Sequence, residues 1–150
     1  MRILFVCTGN TCRSPMAEAI GKAICAKMQL DFELSSAGIA TMDGLSASAG
    51  AMDAVKDYDA DLTHHRSRQI NRAIAEDADV ILAMTSGQKA VLTSLFPDAK
   101  EKIFTLTEYA GLSGEIEDPY GQDHSVYAAA ARQIAGAVAR ILMRDKEERS

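Results

Sequence analysis

"RILFVCTGNTCRSPMAEAIGKAICAKM", residues 2 to 28, passes directly from an apolar run through a turn of cysteines, glycine, asparagine and arginine into a helix-like stretch. The run "RILFVC" (2 to 7) is continuous in its apolar character, as expected of a strand covered on both faces. Ser14 is a good N-cap and Pro15 suits a first helical turn, so a helix is predicted from there to about Met28. The turn "CTGNTCRSP" (7 to 15) is thus held between a buried strand and a helix start.

The same alternation continues along the chain. "FELSSAG" (32 to 38) reads as a second strand that stops at Gly38, and a loop containing "MDGLS" leads to a helix from about Ala47 to Lys56. "RSRQINRAIAEDA" (66 to 78) is predicted as a helix, "DVILAM" (79 to 84) as a third buried strand, and "SGQKAVLTSLF" (86 to 96) as a helix ended by Pro97. "KIFTL" (102 to 106) is the fourth strand. Residues 110 to 123, rich in glycine and acids and containing "EDPYGQD", form a loop of functional length. Val126, Tyr127, Ala130, Ile134, Val138, Ile141 and Leu142 then recur at helical spacing, with Asp123 as N-cap and "RDKEERS" fraying into solvent. Strands alternating with helices predict an α/β fold: one doubly wound domain over residues 1 to 150, with a four-stranded parallel sheet and helices on both faces. In such sheets ligands sit at the carboxyl ends of the strands near the switch in strand order, which marks the turn after the first strand.

Composition narrows the function classes. A chain of 150 residues can bury roughly 70% of the surface it exposes when unfolded, so it needs no disulfide or metal staple. With 47% hydrophobic and 25% charged residues it is an ordinary globular composition, and a net charge of -5 argues against a general nucleic-acid binder. No stretch approaches the roughly 20 apolar residues of a membrane span, and the N-terminal run is too short for a signal core. A cytoplasmic location is expected. Three cysteines, an odd number, fit reduced thiols better than a disulfide framework.

The turn itself carries chemistry. Backbone amides of the loop and the first turn of the helix can converge on one point and make an anion nest, which binds phosphate. A helix N-terminus beside an arginine also stabilises a thiolate, making Cys7 a candidate nucleophile. Arg13 offers a fixed fork of donors to two phosphoryl oxygens, and Ser14 can donate its hydroxyl to the sulfur. Gly9 permits positive φ and close backbone approach, and Asn10 can pin the loop and tolerates a left-handed backbone. Thr8, Thr11 and Cys12 complete the phosphate-binding set. A cysteine ending a strand is ordinarily a small core residue, and an arginine at a helix start is ordinarily solvated. Cysteine, five residues, arginine and serine between strand and helix form a far more demanding pattern. A Walker-type site lacks its lysine, and Cys7 and Cys12, with four residues between them, have no second ligand pair for zinc. No metal or cofactor is expected. A leaving group needs an acid, and Asp118 in "EDPY", stiffened by Pro119, is the candidate, with Tyr120 as a pocket wall.

"CTGNTCRSP" with a distant "DPY", "SSAG" at 35 to 38 and "DLTHHRSRQI" at 61 to 70 resembles the low-molecular-weight protein phosphatases over nearly the entire chain. The resemblance implies a four-stranded doubly wound fold and a metal-free, two-step reaction. Cys7 becomes a phosphocysteine while Asp118 protonates the leaving group; Asp118 then acts as base for the hydrolytic water, and inorganic phosphate is the product. His65 would bond to Asn10 and, with Ser36, support the loop; His64 and His124 read as surface residues.

Thr11 bears on the substrate. Tyrosine-specific members of the family carry a bulky aliphatic residue before the second loop cysteine, so "CTGNTCRSPMAE", with "LAMT" at 82 to 85 and "FTLTEY" at 104 to 109, resembles the bacterial protein-arginine phosphatases. A threonine narrows the pocket with a polar group suited to a slim phosphoguanidinium, whereas an aliphatic side chain packs on a phenyl ring. The alternatives are a tyrosine phosphatase on the same scaffold and a phosphate-binding regulatory module without catalysis. Arsenate reduction needs later cysteines, and none follows Cys25. Phosphorylated proteins are the expected partners, with no nucleic acid or membrane, and a monomer is expected. Cys7 and Cys12 are also candidates for a reversible protective disulfide.

Overall fold

The computed structural model describes the backbone of residues 1 to 149 and the side chains of residues 1 to 144. Four parallel strands form one sheet: β1 (Arg2–Cys7), β2 (Glu33–Gly38), β3 (Val80–Ala83) and β4 (Ile103–Thr105), in the order β2, β1, β3, β4. Every residue of β1 after Arg2 is buried, because the strand is interior to the sheet and both its faces are covered. Ile3, Phe5 and Cys7 point into a core built with α1 (Arg13–Met28) and α6 (His124–Arg149). Leu4 and Val6 point into a second core with α3 (Arg72–Asp77) and α4 (Ser86–Leu95). The predicted stripe on α6 is buried at Tyr127, Ala130, Ile134, Val138, Ile141 and Leu142, with Val126 half-buried.

The chain winds from β1 outward to β2 and then returns to place β3 on the other side of β1. Connections therefore leave the carboxyl end of β1 and its neighbour in opposite directions and open a crevice there. Cys7 lies opposite Gly38 in the register, which puts the loop after β1 at that crevice.

Several local readings are corrected by tertiary bonds. Ser14 does not cap α1: Cys12 is the N-cap, without a side-chain bond, and Ser14 lies inside the helix with its hydroxyl turned to Cys7. The helix predicted over 66 to 78 begins only at Arg72, capped by Asn71. Residues 66 to 70 instead extend beside the end of β2, where Gly38 donates to Arg68 and Ile70 donates to Gly38, a pairing that a helix could not make. The helix expected over 47 to 56 is α2 (Ala49–Ala54) followed by a 3-10 turn, Val55–Tyr58. A short helix, α5 (Leu106–Tyr109), follows β4 directly, closed by a capping box of Thr105 and Glu108. Asp123 caps α6 as expected, accepting from the Ser125 and Val126 amides. The expected fraying from Arg144 is not seen in the backbone, which stays helical through Arg149; the side chains beyond Arg144, and Ser150, lie outside the described residues.

Candidate active site

The loop joining β1 to α1 is shaped by one fully buried asparagine. Asn10 has φ 55, the left-handed conformation that Asn tolerates, and its polar atoms reach Ser14 in α1, Ser36 in β2 and two residues of the segment before α3. Its Nδ2 donates to Ser14 Oγ and Ser36 Oγ, each at 2.9 Å; its Oδ1 accepts from the Arg68 amide at 2.9 Å. Its backbone carbonyl accepts from His65 Nε2 at 2.8 Å, which fixes the proton of that ring on Nε2. Ser36 Oγ donates in turn to the Glu18 carboxylate at 2.6 Å. His65 and Ser36, read as loop supports, both bond to Asn10. Gly38 permits this packing: a Cβ there would come within 2.9 Å of the Thr8 carbonyl and 3.1 Å of Asn10 Cβ. Gly9, by contrast, has no positive φ, and a Cβ on it would meet only Thr11 Oγ1 at 3.6 Å. The positive φ expected of Gly9 falls on Asn10.

Two donors surround the Cys7 sulfur. The Asn10 amide lies 3.3 Å from Sγ and Ser14 Oγ lies 3.0 Å away. Ser14 Oγ accepts from Asn10, and its own proton has two acceptors in reach, the sulfur at 3.0 Å and the Ala37 carbonyl at 3.5 Å, of which the sulfur is the nearer. Among the described residues the amides of Gly9, Thr11 and Cys12 face no protein acceptor, which leaves them available to an anion.

Arg13 is buried, its Nη1 donating to the Ile116 carbonyl at 2.9 Å and its Nη2 lying 3.7 Å from Asp118 Oδ2. That anchor aims the planar fork, and the same contact draws the acidic loop over β1. Asp118 is mostly exposed; its Oδ1 accepts from the Tyr120 amide at 3.1 Å, and its backbone carbonyl accepts from Gln122 Nε2. A cleft of about 560 Å³ joins these groups, lined by Cys7, Thr8, Gly9, Thr11, Cys12 and Arg13 on the loop side and by Asp118 and Tyr120 opposite. Met42 and Leu45, both exposed, and Thr41 form its outer lip. Asn10 and Ser14, read as substrate-binding, lie behind the loop with no exposed surface and act on the cleft through the loop and the sulfur. His64 and His124 are exposed, and His124 Nδ1 lies 2.9 Å from Asp53 Oδ2. Among the described residues no cluster of three or more His, Cys, Asp or Glu side chains could hold a metal.

Ser48, Tyr127, Gln88 and Arg68 also join the site, and none of them was read as part of it. Cys12 Sγ is 3.3 Å from Ser48 Oγ and 3.5 Å from Tyr127 Oη. Burial pushes the Tyr127 phenol up; Cys12 and Asp118 act in the same direction, and the hydrogen bond with Ser48 acts against them. Tyr127 lay in the apolar stripe of α6, where nothing distinguishes a core ring from one whose hydroxyl reaches a loop. Gln88 donates to Thr8 Oγ1 at 3.1 Å and accepts from the Met84 and Thr85 amides. "TSGQ" at 85 to 88 is a capping-box pattern, so this residue was legible as a cap, though not as a loop support. Arg68 holds the Ser36 carbonyl through Nε at 2.9 Å besides bonding Asn10.

Comparison with known proteins agrees with this geometry. The family model described as "Low molecular weight phosphotyrosine protein phosphatase" matches residues 2–150. A protein-arginine-phosphatase of Geobacillus stearothermophilus is 41% identical over 141 residues, covering 93% of each chain. The low molecular weight protein-tyrosine-phosphatase PtpB of Staphylococcus epidermidis is 36% identical, covering 94% of this chain and 96% of that one. A solved structure of the YwlE arginine phosphatase, a cysteine-to-serine mutant with a phosphorylated active-site serine, superposes with TM-score 0.94 at 35% identity, covering 99% and 98% of the two chains. The fold is therefore shared over nearly the full chain, and the protein belongs to the low molecular weight phosphotyrosine protein phosphatase family.

Proposed function

We propose that this protein hydrolyses phosphoarginine in proteins through a phosphocysteine on Cys7. The observation that carries the reading is the convergence of the Cys7 sulfur, the Arg13 guanidinium and the Asp118 carboxyl on one cleft whose wall includes Thr11. The phosphoryl oxygens take the free loop amides and the Arg13 fork, which stabilise the charge that develops at phosphorus. The Cys7 thiolate attacks phosphorus and forms the S–P bond. The P–N bond breaks, its electron pair stays on the guanidine nitrogen, and Asp118 delivers a proton there. Water then attacks the phosphocysteine and gives its proton to Asp118; the S–P bond breaks with the pair on sulfur, where the Ser14 hydroxyl receives it. Inorganic phosphate leaves.

Thr11 supports phosphoarginine over phosphotyrosine because its hydroxyl is a hydrogen-bonding group on a wall where an aliphatic side chain would favour a flat ring. Protein-arginine-phosphatase relatives at 41% and 35% identity support the same assignment. The tyrosine reading is favoured by the exposed apolar lip of Met42 and Leu45 with Tyr120, which suits a ring. The comparison of kcat/KM on phosphoarginine and phosphotyrosine peptides decides between them: the arginine substrate is expected to be the better by at least an order of magnitude, and the reverse order overturns the assignment. We also propose that the enzyme acts as a monomer in the cytoplasm, a location that its three free cysteines suit. None of the described helices is long and apolar enough to cross a membrane.

A further inference from the structure

A second groove, of about 650 Å³, runs beside the catalytic cleft and shares Thr8, Arg13 and Asp118 with it. Its floor is apolar, with Ile39 and Val91, and Val91 is 44% exposed on the outer face of α4. Its edge is the acidic loop, with Glu115, Glu117 and Asp118. Arg13 is the one cation among the lining residues, and it is buried and already bound to Ile116 and Asp118. Glu115 accepts from the Ser86 amide at 2.6 Å, bonds that hold its carboxyl below the usual range and keep it ionised. Glu117 makes no hydrogen bond or ion pair among the described residues and stands exposed at the rim.

A phosphorylated side chain seated over Cys7 enters the catalytic cleft from a polypeptide that must continue across the surface on both sides. The groove is the continuation of that cleft past the Arg13–Asp118 contact, and its acidic edge of Glu115 and Glu117 contrasts with the uncharged lip of Met42 and Leu45. We propose that this groove binds an extended segment of the substrate protein carrying a basic side chain a few residues from the phosphorylated one. The aliphatic stem of that side chain lies on Ile39 and Val91, and its charge meets Glu115 and Glu117. The inference rests on the phosphatase reading for its substrate and is independent of whether arginine or tyrosine carries the phosphate.

Two peptide series, one with phosphoarginine and one with phosphotyrosine, test it, with lysine or glutamate placed in turn at neighbouring positions on both sides and p-nitrophenyl phosphate as reference. Lysine is expected to raise kcat/KM about fivefold over glutamate at one or more positions, mainly through KM, with the gain shrinking as salt rises. In the variant combining Glu115→Gln and Glu117→Gln, and separately in Val91→Lys, the gain disappears while p-nitrophenyl phosphate is turned over as before. Equal rates for lysine and glutamate in both series, or a gain that survives both variants, overturn the proposal. If only the phosphotyrosine series is hydrolysed, the arginine assignment fails, and the lysine preference within that series still decides the groove.

Discussion

Ser14 Oγ stands 3.0 Å from Cys7 Sγ while accepting a hydrogen bond from Asn10 Nδ2, which leaves the serine proton for the sulfur, nearer than its other acceptor, the Ala37 carbonyl at 3.5 Å. Ser14→Ala removes that donor. A hydrogen bond to a charged group contributes about 1.5 to 3 kcal/mol, so turnover is expected to fall by about 10- to 150-fold. The loss should be largest in release of phosphate from the cysteine, where sulfur is the leaving group. Single-turnover kinetics that show both steps slowed alike would reject this role.

Cys7→Ser should abolish turnover and leave the fold and phosphate binding nearly intact, since it removes the nucleophile with little change in volume. Residual turnover above a few per cent of the parent rate would rule out Cys7 as nucleophile; a shared Tm and retained phosphate affinity check the fold.

Asp118→Asn should lower the rate by about 10² to 10⁴, the usual span for general acid catalysis. Substrates with poor leaving groups should suffer most. A uniform loss over leaving groups of different basicity would mean that Asp118 positions Arg13, 3.7 Å away, and transfers no proton.

Thr11→Ile should raise activity on phosphotyrosine and lower it on phosphoarginine, shifting the ratio of kcat/KM by about 10- to 150-fold from one hydrogen bond to a charged group. An unchanged ratio means that Thr11 does not set specificity.

Asn10→Ala should unfold the loop from within. It strands buried partners on Ser14, Ser36 and Arg68 and leaves alanine in a left-handed conformation. A cost of about 3 kcal/mol follows, and with it a fall in Tm of about 6 to 12 °C for a chain of this size, read by calorimetry. An unchanged Tm would show that the network adds no net stability.

How much of this was legible along the chain depends on the range of the forces involved. The alternation of buried strands and amphipathic helices follows from local hydrophobic period, so the four parallel strands, the position of Cys7 at the end of β1 and the loop before α1 could be read directly. The candidate nucleophile, its arginine and its serine could be read together too, because they lie within nine residues, 7 to 15. Boundaries failed where backbone groups found distant partners: residues 66 to 70 exchanged a helix for Gly38 and Asn10, and the cap position passed from Ser14 to Cys12 once the serine turned to sulfur. Only the tertiary structure decided that Arg13 is anchored by Ile116, 103 positions away, and that Cys12 meets Tyr127, 115 positions away. It alone decided, too, that a second groove opens on the far side of Asp118. Local propensity acts over a few residues and specifies elements. The direction in which Arg13 points, and the surface on which a substrate lies, depend on which elements the folded core brings together.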